Sequence, residues 1–143
     1  MRLSTKSRYG TRLIIDLALN SKNGPVKLSG VSKRQGISLK YLEKLIKKLK
    51  DAGIVKSARG RNGGYMLARP MRSISVGDIV KVLEGSVSIT DCSDKEKTCG
   101  TCSRAGECIT QWIWIETSEA MFDKLNSFKL DELVNSYHKY AKS

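Results

Sequence analysis

Residues 36–68 constrain the fold more than any other stretch of this chain. Gly36 ends a short helical pattern over roughly 28–35, and Ser38 then offers an N-cap for a helix over about 39–51 that Gly53 terminates. In that helix Leu42, Leu45, Ile46 and Leu49 recur at i, i+3, i+4 and i+7 and form one apolar stripe, while Lys40, Lys44 and Lys47 lie on the opposite face. Two short strands follow, Ile54–Ala58 and Gly64–Ala68, joined by the tip Arg59-Gly60-Arg61-Asn62-Gly63. Short helix, tight turn, amphipathic basic helix and then a hairpin is the order of a winged helix-turn-helix. Each part alone has a plain reading: lysine-rich helices are often solvated faces, and hairpin glycines often only supply positive φ. Their succession favours the wing, whose tip arginines can enter a minor groove, where the potential is most negative.

The rest of the chain reads as helix. Ser4 or Thr5 caps a helix over 5–20, with Tyr9, Leu13, Ile14 and Leu17 as its apolar face, and Asn20–Pro25 is a loop by composition. Ser75-Val76-Gly77-Asp78 resembles a capping box and opens a helix to about Leu83 through Val76, Ile79 and Val80. A long helix runs from about Cys108 to 127, and a final one from 129 to 140. The prediction is a mainly α fold with a small β-hairpin wing: a winged helix-turn-helix domain over 1–85, a cysteine-bearing loop over 86–107, and a long dimerisation helix with a short carboxyl-terminal helix over 108–143. The long helix carries Ile109, Trp112, Ile113, Ile115, Met121, Phe122, Leu125 and Phe128. One small domain cannot cover so much apolar surface on a projecting helix. Self-association through residues such as Trp112, Ile115 and Phe122 is therefore expected over packing within one chain.

Charge divides the chain at the same place. Residues 1–70 hold 17 lysines and arginines against three acids, whereas residues 71–143 hold nine against 11. A basic amino-terminal half suits a polyanion, because clustered cations neutralise phosphates and release counterions. No stretch approaches the ~20 apolar residues of a membrane span, and the opening Met1–Lys6 lacks an apolar signal core. A cytoplasmic protein without membrane contact is expected.

All four cysteines fall within 17 positions, as Cys92-x6-Cys99-x2-Cys102-x5-Cys108, threaded with small polar residues. A polar loop lets thiolates converge on one soft metal or iron–sulfur cluster. Tetrahedral zinc would be served by the same set, and a bare thiol switch by two of them. Spacing alone leaves these three open. Catalysis is not expected, since no histidine accompanies the cysteines and Gly60–Gly64 lacks the lysine of a phosphate-binding loop.

Four segments resemble the IscR-like family of dimeric winged-helix transcription factors with an iron–sulfur sensor loop. They are Met1–Gly10, the helix signature Gln35–Leu45, the wing Arg59–Leu67 and the helix start Ile74–Ile79. The similarity extends to about Asn135 and keeps order and spacing. It implies a homodimer with crossed long helices, reading a partly palindromic double-stranded DNA operator. It also implies an iron–sulfur cluster, [2Fe–2S], near the start of each long helix. Cys92, Cys102 and Cys108 match the family's three cysteine ligands, with Cys99 additional. The chain departs from the best-known members at Gln111, where they place a histidine as fourth ligand. The only histidine here, His138, lies far along the chain. Cys99, another residue or the partner subunit is left to complete the set. On this reading Ser38, Lys40, Tyr41, Glu43 and Lys44 of the helix and Arg59 and Arg61 of the wing contact DNA. Glu43, the only acid among those helix contacts, acts as a selectivity element; the plainer alternative pairs it with Lys40 or Lys47. The implied logic is feedback: the loaded protein represses cluster-assembly genes and the apo-protein releases them. Relatives that sense iron, nitric oxide or oxygen leave the signal open.

Overall fold

The computed structural model describes residues 2–94 and 102–141, with the side chains of His138 and Ala141 left out. Among the described residues are six α-helices and one hairpin: α1 (Thr5–Asn20), α2 (Leu28–Gln35), α3 (Leu39–Asp51), β1 (Val55–Ala58), β2 (Gly64–Leu67), α4 (Val76–Glu84), α5 (Ile109–Ser127) and α6 (Leu130–Ala141). The elements fall within a residue or two of those expected.

The apolar stripes drive this assembly. Leu13, Ile14 and Leu17 of α1, Val31 of α2, and Leu42 and Leu49 of α3 are each 0% exposed and form one core with Ile54, Ile74, Ile79 and Leu83. The turn between α2 and α3 depends on Gly36, whose φ of 64° is left-handed, a conformation costly to any residue with a Cβ. The buried Asp16 of α1 rivets this corner, accepting from Arg34 at 2.6 Å and from Gln35 at 2.9 Å. That contact raises the Arg34 pKa, against the opposing effect of burial.

In the hairpin, β1 and β2 run antiparallel with Val55 opposite Leu67 and Ala58 opposite Gly64. Val26 adds a third rung: its N–H donates to the Tyr65 carbonyl and its carbonyl accepts from the Tyr65 N–H, both at 2.8 Å. The wing is thus tied to the segment before α2. The expected capping box is formed, with Asp78 N–H donating to the Ser75 hydroxyl at 3.0 Å and Ser75 N–H donating to the Asp78 carboxylate at 2.9 Å.

The carboxyl-terminal end of α5 is fastened to the start of α4. The Ser75 hydroxyl donates to Asn126 Oδ1 at 2.8 Å, the Val76 N–H to the Phe128 carbonyl at 3.0 Å, and the Leu130 N–H to the Ile74 carbonyl at 2.9 Å. A Cβ on Gly77 would collide with the Asn126 amide, so a glycine is required for this approach. From this junction α5 runs alongside α4, and α6 turns back onto α1 with Leu130 buried.

Candidate nucleic-acid interface and metal centre

The proposed reading helix presents its polar residues as a solvent-facing row. Ser38 caps α3 by accepting from the Tyr41 N–H at 3.2 Å, and Lys40, Glu43, Lys44 and Lys47 are exposed. Arg59 and Arg61 are exposed at the hairpin tip. Among the described residues the ion pairs are Arg34–Asp16 and Arg69–Asp78, so Glu43 is not paired with Lys40 or Lys47. Its carboxylate stands free on a cationic face.

Tyr41 differs from its neighbours. It is half-buried against the core, its hydroxyl lies 3.0 Å from the Thr5 hydroxyl, and its ring meets Tyr9 edge-on at 5.9 Å between centroids. It therefore braces α3 against the start of α1. Arg8 and Arg12 flank the same site, with their guanidinium carbons 5.9 and 5.5 Å from the Tyr9 ring centre. The sequence reading did not single out these two. Basic residues one turn apart around a tyrosine were the available signal.

The start of α1 is held by Glu84, the last residue of α4. One carboxylate oxygen, Oε1, accepts from the Ser4 hydroxyl at 2.6 Å, the Ser7 hydroxyl at 2.6 Å and the Ser4 N–H at 3.2 Å. Burial pushes this carboxyl up, but the serine hydrogen bonds, with the charge of Lys6, outweigh it and its pKa is lowered.

Two cysteine-bearing segments come together at the other end of α5. Cys108 is the N-cap of α5, and its Sγ lies 3.0 Å from the Thr110 hydroxyl. That hydroxyl, then the backbone N–H groups of Gln111 and Thr110, lower the Cys108 pKa, with a further contribution from Arg104. Cys92 sits on a short 3-10 turn, Asp91–Ser93, with its Sγ 3.4 Å from the Thr90 hydroxyl. This turn is docked on α5 by a small polar cluster. Ser118, buried mid-helix, accepts from the Ile89 N–H at 3.0 Å, and the buried Ser93 hydroxyl donates to the Thr90 carbonyl at 2.9 Å. Cys102 is exposed and begins the turn that leads back to Cys108. Cys99 lies outside the described residues, as does the side chain of His138.

Gln111, one turn into α5, links the two cysteine-bearing segments. Its Nε2 donates to the Cys92 carbonyl at 2.6 Å and its Oε1 accepts from the Gly106 N–H at 2.8 Å. Thiolates are the donors that an iron–sulfur cluster takes, and the surroundings of Cys108 favour its thiolate. The donor set fits such a group chemically. Among the described residues, no three of Cys, His, Asp and Glu stand together as a metal site.

The expected dimer residues divide between two faces of α5. Trp112 is 58% exposed, and Ile109, Ile113 and Trp114 are exposed beside it. Ile115 and Phe122 are half-buried and line a crevice of about 170 Å³ shared with Ser86–Ser88, Ser93 and Lys81. No helix among the described residues is long and apolar enough to cross a membrane.

Residues 3–136 match the Rrf2 family, described as an iron-dependent transcriptional regulator. The chain is 46% identical over 134 residues to protein rrf2 of Nitratidesulfovibrio vulgaris Hildenborough, covering 94% of this chain and 87% of that one. It is 43% identical over 136 residues to the HTH-type transcriptional regulator IscR of Escherichia coli O1:K1 / APEC, covering 95% and 82%. Among solved structures it is similar to T. potens IscR, at a TM-score of 0.76 and 38% identity over 96% of this chain and 88% of that one. It is also similar to CymR, the global cysteine regulator of B. subtilis, at a TM-score of 0.75 and 34% identity over 94% and 97%. A winged helix-turn-helix with a basic reading face, matched along nearly its whole length, places the protein: it belongs to the Rrf2 family and is a DNA-binding transcription regulator.

Proposed function

We propose that this protein is a cytoplasmic, homodimeric repressor whose input is an iron–sulfur cluster and whose targets include genes for making such clusters. The observation that carries the reading is that Gln111 ties the Cys92 carbonyl to the start of α5, which Cys108 caps, in a chain otherwise built to read DNA. The matches to IscR proteins support it. Cys92, Cys102 and Cys108 would hold the cluster, [2Fe–2S], and Cys99 is the candidate fourth ligand. When bound, the cluster supplies an oxygen- and redox-sensitive link among these thiolates. The chain's own residues do the rest. Thr90 and Thr110 hydrogen-bond the two thiols, and Ser118 anchors the Cys92 segment to α5. Glu84, immediately before that segment, grips the start of α1, which touches the reading helix through Thr5 and Tyr41. The Cys92 segment is thereby linked to the reader through the chain between Glu84 and Ile89 and these separate hydrogen bonds, a route by which cluster binding would shift the balance between two DNA-binding states.

At the DNA, Lys40, Lys44, Arg59 and Arg61 supply cationic contacts to a partly palindromic operator, while Ser38 and Tyr41 fix the helix that carries them. The free carboxylate of Glu43 is repelled by phosphate and accepts from a cytosine amine, so it selects among sites. The test is anaerobic purification with visible spectra, followed by titration of operator-length and random duplexes with apo and loaded protein, wild type and Cys108→Ala. Expected are a brown, air-sensitive protein, loss of colour in the variant, and duplex ranking that changes with the cluster and relaxes in Glu43→Ala. Stoichiometric zinc, or a Cys–Cys disulfide as the only response to oxidation, would overturn the cluster reading. Equal affinity for all duplexes would overturn the operator reading.

A further inference from the structure

Among the described residues, Gln111 is where a single side chain reaches both cysteine-bearing segments. Its amide is used at both ends on backbone groups: Nε2 donates to the Cys92 carbonyl at 2.6 Å, and Oε1 accepts from the Gly106 N–H at 2.8 Å. Its own place is fixed by α5, since the Gln111 N–H donates to the Cys108 carbonyl at 3.1 Å. The chain between Cys92 and Gly106 is thus closed at its two ends by one half-buried amide. Only a side chain that donates and accepts at once can do this; asparagine is a methylene too short, and a carboxylate at neutral pH faces the Cys92 carbonyl with an acceptor. With both ends committed, Gln111 is not offered to a metal.

We propose that Gln111 is a positioning residue for the thiolate site, a clasp that holds the Cys92 turn against the Cys102–Cys108 turn at the start of α5. This rests on the cluster reading above. The clasp limits how far the two segments separate when the site is empty, and so sets how readily a bound cluster is held. A second anchor, Ser118, lies two turns further along α5, where its hydroxyl meets the Ile89 N–H at 3.0 Å and the Ser93 hydroxyl at 3.5 Å.

The experiment compares the full-length wild type with Gln111→Met, which keeps length and bulk but makes neither hydrogen bond, and with Gln111→Glu. In apo-protein, hydrogen exchange is read by mass spectrometry over 86–94 and 103–108. Gln111→Met is expected to speed exchange in both segments and leave 5–84 unchanged. Gln111→Glu keeps the Gly106 N–H protected and releases only 86–94. Each protein is then reconstituted anaerobically with ferrous iron and sulfide, and iron loss to a ferrous chelator is timed. Loss from Gln111→Met is expected to be about 10-fold faster, with the positions of the visible bands unchanged. Unchanged exchange, or wild-type iron loss, overturns the proposal. Shifted bands also overturn it, because they make Gln111 a ligand. If the wild type itself takes up no cluster, the cluster reading fails, and the exchange measurement alone still decides whether the clasp exists.

Discussion

The reading half and the long helix bury their residues in opposite ways. From α1 to β2 nearly every large aliphatic residue points into one core, and α3 alone contributes Leu42, Leu45, Ile46 and Leu49 to it. In α5 the one residue classed as buried is Ser118, while Ile109, Trp112, Ile113 and Trp114 are in solvent. The reading half is complete as a single chain. α5 is held to it by polar joints at both ends, Ser75–Asn126 at one and Ser118–Ile89 with Gln111–Cys92 at the other.

That contrast breaks most sharply in the core. Leu42→Ala removes a side chain that is 0% exposed at the centre of the reader, and should cost about 2–5 kcal/mol in chemical denaturation, with DNA binding lost in parallel. A loss below about 1 kcal/mol would mean that the core repacks freely there. Trp112→Asp probes the other side. Unfolding free energy should change by less than about 0.5 kcal/mol, yet sedimentation should show the dimer replaced by monomer. A dimer of undiminished affinity would put the interface elsewhere. The smallest effect belongs to Glu84. Its pKa is lowered by folding, so its ionised form stabilises the protein above the usual glutamate value of about 4.3, and that contribution is lost as pH falls through the depressed value. Glu84→Gln should be less stable than wild type at neutral pH, by under about 1 kcal/mol because the site is partly solvated. The difference should shrink on acidification; a gap that persists at acid pH would remove ionisation as its cause.

How much was legible follows the same division. Periodic apolar residues announce α1, α3 and α4, and side-chain caps announce α3 and α4, because burial of a stripe and satisfaction of terminal N–H groups are local requirements. The cap expected of Ser4 on α1 is not made, because its hydroxyl donates to Glu84. The capping box at Ser75–Asp78 and the turn at Gly36 form as read. Tyr41 stands with its lysine neighbours as an expected DNA contact, and the sequence does not show that its hydroxyl and ring also meet Thr5 and Tyr9, 36 and 32 positions away in the chain. Residues 86–94 read as part of a loose loop. They dock on α5 through Ser118, and a single serine in a long helix carries no periodic signal. Val26 joins the wing by backbone bonds that no side chain advertises. Gln111 was noticed for the ligand it does not supply; its two-ended use depends on where Cys92 and Gly106 arrive in space. Contacts made by backbone groups at long range are what a single sequence conceals.

The Gly77–Asn126 contact has a mechanical consequence. With no Cβ between them, α5 rests at its carboxyl-terminal end directly on the start of α4, while Cys108 caps the opposite end. At 1.5 Å per residue the arm from Asn126 to Cys108 is about 27 Å long, so a tilt of about 5° about this fulcrum sweeps the cysteine end through about 2 Å. Any travel at the cysteines would thus be geared down to a small rotation at the start of α4. A side chain at position 77 would push the arm off its bearing, and the gearing would be lost before any cysteine was touched.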